Sequence, residues 1–152
     1  MIELITTTAM TLGSALLLAY WFRYSCLLIL SAQTARDYAG EIAAENQLGF
    51  REVQQQLPLC PAAELCALQQ ALDRDYVVVQ YLLRQMHRHE SKLQAGLEMD
   101  LEMGMLRVHY RLLQVRFLVS RSLSAQAARQ ALSEMCGIVG YFANGIGEAA
   151  AG

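Results

Sequence analysis

From Leu4 to Phe22 the chain runs nineteen residues without a charged side chain, and Tyr20-Trp21-Phe22-Arg23-Tyr24 closes the run. About 20 apolar residues in a helix cross a hydrocarbon core of roughly 30 Å, and aromatic rings beside a cation settle at the headgroup level. Residues 1–23 therefore read as a transmembrane anchor, with Tyr20, Trp21, Phe22, Arg23 and Tyr24 at the membrane interface. The residues ahead of the run, Met1-Ile2-Glu3, are acidic rather than basic, and no small-x-small cleavage pattern follows Phe22. A signal peptide needs both features, so the segment is expected to stay on the protein. Arg23 and Arg36 follow the span while only Glu3 precedes it, which by the positive-inside rule puts the C-terminal body in the cytoplasm.

Thr6, Thr7, Thr8 and Thr11 make this span less apolar than most. Thr7, Thr11 and Ser14 fall on one helical face, and Ala9 and Gly13 form a small-x-x-x-small pair. Such faces let helices approach closely and hydrogen-bond across an interface, so this one is a candidate for association with itself or with another membrane protein. Hydroxyls in a lone span also bond their own i−4 carbonyls, which is the plainer use of the same residues.

The rest of the chain reads as all-helical, with no period-2 alternation and no Asn-Gly hairpin between apolar runs. No proline interrupts Leu4 to Leu48, and Gly49 offers a helix stop. One helix of about 65 Å is expected there, the span continuing into an amphipathic stalk over 24–48. A connector over 49–61 contains Pro58 and Pro61, with room for a short helical piece from Phe50 to Leu57. The bundle then occupies 62–147. Its first helix, to about Arg88, carries the stripe Leu65, Leu68, Leu72, Tyr76, Val79, Leu83 and Met86. After a polar break at His89-Glu90-Ser91, a second helix carries Leu97, Leu101, Met105, Val108, Leu112, Val115 and Val119 as its expected core face. Ser124 is the expected N-cap of a third, with Ala128, Ala131, Met135, Ile138 and Phe142 inward. Gly137, Gly140, Gly145 and Gly147 weaken its end, and 148–152 is expected to be a flexible tail. Short loops make sequential helices antiparallel, so the predicted fold is a small antiparallel helical bundle on a membrane anchor.

Signs of chemistry are few. The apolar fraction is 55% and the net charge is −2, too small to suggest a nucleic-acid partner. Of twelve basic residues only Lys92 is lysine, and arginine suits fixed ion pairs or phosphate contacts. Arg107, Arg111 and Arg121 fall within about a quarter of one helix circumference. They form a basic strip suited to an anionic headgroup or an acidic partner, although cations late in a helix also simply complement its dipole. His87, His89 and His109 lack ligand spacing, and no Glu-x-x-His motif is present, so no metal and no cofactor is expected. Cys26, Cys60, Cys66 and Cys136 form no C-x-x-C pair. Cys60 and Cys66 can pair only in an oxidising compartment, and the simpler reading is reduced, buried thiols. No phosphate loop occurs. The expectation is a non-catalytic membrane-anchored interaction or accessory subunit, touching lipid and either a protein partner or further copies of itself. The alternative is a soluble oligomeric bundle that buries its first helix and binds an apolar ligand.

Overall fold

A computed structural model describes residues 1–31, 37–87 and 95–151, and every regular element among them is helical. The chain divides into two compact units, Met1–Gln33 and Thr34–Gly152.

The first unit is α1 (Ile2–Ser31). Thirty residues make it about 45 Å long. Side chains from Glu3 to Trp21 are exposed all round it. It is long and apolar enough, by length and composition, to cross a membrane. The Oγ1 groups of Thr7, Thr8 and Thr11 donate to the carbonyls of Glu3, Leu4 and Thr7 at 2.7, 2.7 and 2.8 Å. Each hydroxyl is thus satisfied inside the helix, which removes the cost of burying it in an apolar medium. The rings of Tyr20 and Tyr24, one turn apart, stack with centroids 6.4 Å apart.

The second unit is a helical bundle of α2 (Ala39–Glu45), α3 (Phe50–Gln56), a 3-10 turn (Ala62–Glu64), α4 (Leu65–His87), α5 (Ala95–Leu123) and α6 (Ala125–Ala151). The single helix expected from Leu4 to Leu48 is therefore corrected, because it is broken at Asp37 and Tyr38 before α2 starts at Ala39. Asp37 and Tyr38 are not helical, and tertiary bonds hold them so. The Asp37 carboxylate accepts the Ala39 N–H at 3.1 Å and pairs with Arg51 at 2.6 Å, while Tyr38 N–H donates to Asn144 Oδ1 at 2.7 Å. The stop of α2 also differs from expectation. Gln47, not Gly49, takes the left-handed conformation, at φ 54°, and Leu48 N–H closes a Schellman bond to Ala43 at 2.9 Å. Gly49 instead begins α3.

α6 is the centre of this unit: α2, α3, α4 and α5 all pack on it. Its expected stripe holds, since Ala128, Ala131, Met135, Ile138 and Phe142 are all fully buried. Small residues along the helix allow close approach. A Cβ at Gly147 would lie 2.1 Å from Tyr38 Cβ, and one at Gly140 would lie 3.4 Å from the Phe50 ring. Ser124 caps the helix, accepting the Ala127 N–H at 3.4 Å. The helix runs on to Ala151, so the flexible tail expected from 148 is corrected to helix. Glu148 helps to extend it by accepting from Asn144 Nδ2 at 3.1 Å.

The α4 stripe holds at Leu65, Leu72, Tyr76, Val79 and Leu83, which are buried, while Leu68 and Met86 are half-buried. The α5 stripe does not. Leu101, Val108, Leu112, Val115 and Val119 are all more than half exposed, and the inward residues are Met103, Leu106, Tyr110, Leu113 and Phe117. At 100° per residue the two sets lie on opposite faces. α5 is apolar on both, and the inward set wins because it brings the larger rings, Tyr110 and Phe117, into the core.

Candidate functional site

α4 and α5 meet through two aromatic rings. Tyr76 and Tyr110 stack with centroids 3.8 Å apart and planes 3° from parallel, and Phe142 of α6 closes the cluster from 6.2 Å. Asp73, one turn before Tyr76, ties the helices on one side of the stack. It accepts the Tyr110 hydroxyl at 2.8 Å and Gln114 Nε2 at 2.9 Å, and Gln69 donates to its second oxygen. Burial, with Asp73 beside it, pushes the Tyr110 phenol far above its ordinary range.

On the other side of the stack α4 and α5 leave a cleft of about 550 Å³. That volume lies in the range of small-ligand sites. Tyr76, Gln80 and Arg84 lie at successive turns of α4, and Arg107 and Arg111 at successive turns of α5, and all five line it. Tyr81, Val77 and Val108 complete the lining and are exposed. The three guanidiniums act together on the Tyr76 phenol: burial raises its pKa, and Arg111, Arg107 and Arg84 pull it down. Among the described residues no carboxylate lines the cleft. Gln80 is only 7% exposed, yet among the described residues its Nε2 has no hydrogen-bond partner, and the buried Nε of Arg107 has none either.

The sequence-level strip is thus brought together in part. Arg107 and Arg111 share the cleft, but Arg121 lies elsewhere, its Nη1 3.2 Å from Cys66 Sγ. Arg84 was not legible as a member, because only the fold carries α4 alongside α5. The Arg74-Asp75-Tyr76 triplet likewise splits by role. Tyr76 enters the stack, while buried Asp75 faces the start of α3, where the Gly49 and Phe50 backbone N–H groups point at its carboxyl. Burial raises the Asp75 pKa, and those two N–H groups offset part of the rise.

A second polar group lies between α5 and α6. His109 Nε2 is 3.7 Å from Glu134 Oε2, and Arg116 Nη1 is 3.5 Å from Glu134 Oε1. With side chains 5% and 12% exposed, His109 and Glu134 lie close together in the interior across two core helices, which suits a packing role.

Among the described residues no cluster of His, Cys, Asp and Glu has metal-binding geometry. His89 lies outside the described residues, as does the rest of the polar break at 89–91. Cys60 and Cys66 are free, and so are Cys26 and Cys136. Cys136 is buried and its thiol is pushed up to about 12, by desolvation first and the Asp75 charge second. In α1, Thr7 and Thr11 of the candidate association face are exposed with internally bonded hydroxyls, and a Cβ at Gly13 would meet nothing within 4 Å. Tyr20, Trp21 and Tyr24 are exposed as well. Comparison with known protein families, with curated proteins and with solved structures finds no match for this chain.

Proposed function

We propose that the protein is a membrane-anchored, non-catalytic interaction subunit: α1 spans the bilayer, and an antiparallel bundle presents α5 on the cytoplasmic side to a helical partner. The observation that carries this reading is the outer face of α5. Leu101, Met105, Val108, Leu112, Val115 and Val119 repeat at steps of four and three, the spacing of a coiled-coil seam, and five of the six are exposed. A contiguous apolar stripe of this length on a soluble face marks an interaction site. The antiparallel order is supported by the pairs Cys66–Arg121, Asp73–Gln114 and Tyr76–Tyr110. The anchor is supported by an apolar helix exposed on every side, with aromatic residues and Arg23 toward one end.

The test has two parts. Native protein should sediment with membranes and resist carbonate extraction; full release into the soluble fraction contradicts the anchor. Leu112→Glu combined with Val115→Glu, both at exposed positions, should leave the helical spectrum and melting unchanged. The same variant should lose whatever co-purifies in mild detergent. Retention of every co-purifying species by that variant contradicts the docking role of α5.

A further inference from the structure

The α4–α5 cleft holds a cluster of charge that nothing among the described residues balances. Three guanidiniums reach it from two helices: Arg84 from α4, and Arg107 and Arg111 one turn apart on α5. None of the three has an ion-pair partner among the described residues. Arginine usually avoids this, because clustered like charges repel and an unpaired guanidinium wastes a fork of donors matched to oxyanions. At the floor, two further donors lack acceptors. Gln80 is more than nine-tenths buried with a bare Nε2, and Arg107 Nε is shut off from solvent without a partner. Buried donors left open cost stability unless something fills them. The Tyr76 ring, fixed by its stack on Tyr110, forms a rigid wall.

We propose that this cleft is an oxyanion-binding site that takes a phosphomonoester, its phosphate seated among Arg84, Arg107, Arg111 and the Gln80 amide. A phosphomonoester carries about −1.5 to −2 charge at neutral pH and three acceptor oxygens, which matches three cations better than one carboxylate does. The rim is apolar and aromatic, with Val77, Tyr81 and Val108 all more than half exposed. The ligand therefore carries an apolar group next to its phosphate. Two sources share that chemistry: a monoester headgroup of a lipid, and a free organic phosphate. The site stands on the second unit alone and does not depend on where α1 resides.

The test uses the full chain in neutral detergent, with inorganic phosphate titrated against chloride at constant ionic strength and binding read by calorimetry and thermal shift. Wild type should bind and melt higher with phosphate. Arg84→Gln and Arg111→Gln, both at exposed positions, should each weaken binding by about tenfold or more, while Arg121→Gln should bind as wild type. Phenyl phosphate should bind more tightly than inorganic phosphate. Protein reconstituted in phosphatidylcholine nanodiscs with and without phosphatidic acid then separates the sources. Competition between phosphatidic acid and phenyl phosphate, lost in Arg84→Gln, assigns the site to a headgroup. Tight phenyl phosphate binding that ignores phosphatidic acid assigns it to a soluble monoester. Equal responses in wild type and the Arg84→Gln/Arg111→Gln double variant overturn the proposal. So does binding of a polyglutamate peptide with no response to either phosphate.

Discussion

Replacing Gly147 by alanine tests the packing on which the second unit rests. The new methyl carbon would lie 2.1 Å from Tyr38 Cβ and 2.7 Å from its Cγ. Carbon atoms rest about 3.5 Å or more apart, so Tyr38 must retreat by about 1.4 Å. The clash is at the root of the side chain, and a rotamer change cannot relieve it. The backbone at 37–38 must move, and with it the Tyr38 N–H bond to Asn144 at 2.7 Å. Overpacking of this kind costs about 1–3 kcal/mol, and the lost hydrogen bond adds about 1 kcal/mol. Alanine returns about 1 kcal/mol through helix propensity. The net expectation is a loss of about 2 kcal/mol. Gly104 on α5 provides the internal control, since a Cβ there meets nothing within 4 Å. Gly104→Ala should gain up to about 1 kcal/mol from propensity alone. In urea unfolding of the full chain in neutral detergent, followed by helical circular dichroism, the two variants should differ by about 1–2 M in midpoint. A Gly147→Ala midpoint equal to that of Gly104→Ala would refute the close approach of Tyr38 to α6.

Two further outcomes follow from buried groups. The native state holds the Asp75 proton to higher pH than the ordinary 3.8 of an unfolded chain. Native protein therefore binds more protons than unfolded protein between those two values, and stability falls as pH rises through that window and then levels. Asp75→Asn should remove this slope, read as the difference between wild-type and variant urea midpoints from pH 4 to pH 8; identical slopes would contradict the buried setting of Asp75. Cys66 is half-buried while Cys26, Cys60 and Cys136 are buried, and the Cys136 thiol sits near 12. A thiol reagent at pH 8 should label one site quickly in the folded protein, and Cys66→Ser should abolish that phase; fast labelling that persists would contradict the burial of the other three.

The parts of this fold legible in the sequence are those where one periodicity has no rival. α6 has one apolar stripe and a serine cap, and both stand where spacing puts them. α4 is similar. α5 is different, because Leu101, Val108, Leu112, Val115 and Val119 make a cleaner period than the buried Met103, Leu106, Tyr110, Leu113 and Phe117. Periodicity reports that a face is apolar and does not say which apolar face meets this chain's own core. The break at Asp37 and Tyr38 was hidden for another reason. The non-helical setting of Tyr38 rests on Asn144, which lies 106 residues away and carries no local signal. The cleft was half visible. Arg107 and Arg111 share a helix and so could be grouped by counting, whereas Arg84 and Gln80 join them only through the Tyr76–Tyr110 stack.

The misassigned face is itself an argument about the partner. Under the docking role proposed for α5, a stripe with the spacing of a coiled-coil seam would take a second helix. A second copy is a poor candidate. Antiparallel self-pairing that sets Leu101 against Val119, Met105 against Val115 and Val108 against Leu112 centres on position 110. It brings Arg111, on the edge of the seam, against Arg111 of the other copy. Parallel pairing sets Arg111 toward position 116, again an arginine. Like charges flanking a seam oppose association, and opposite charges select a partner. On the docking role proposed for α5, a helix of a different sequence with apolar residues at heptad spacing is the better fit.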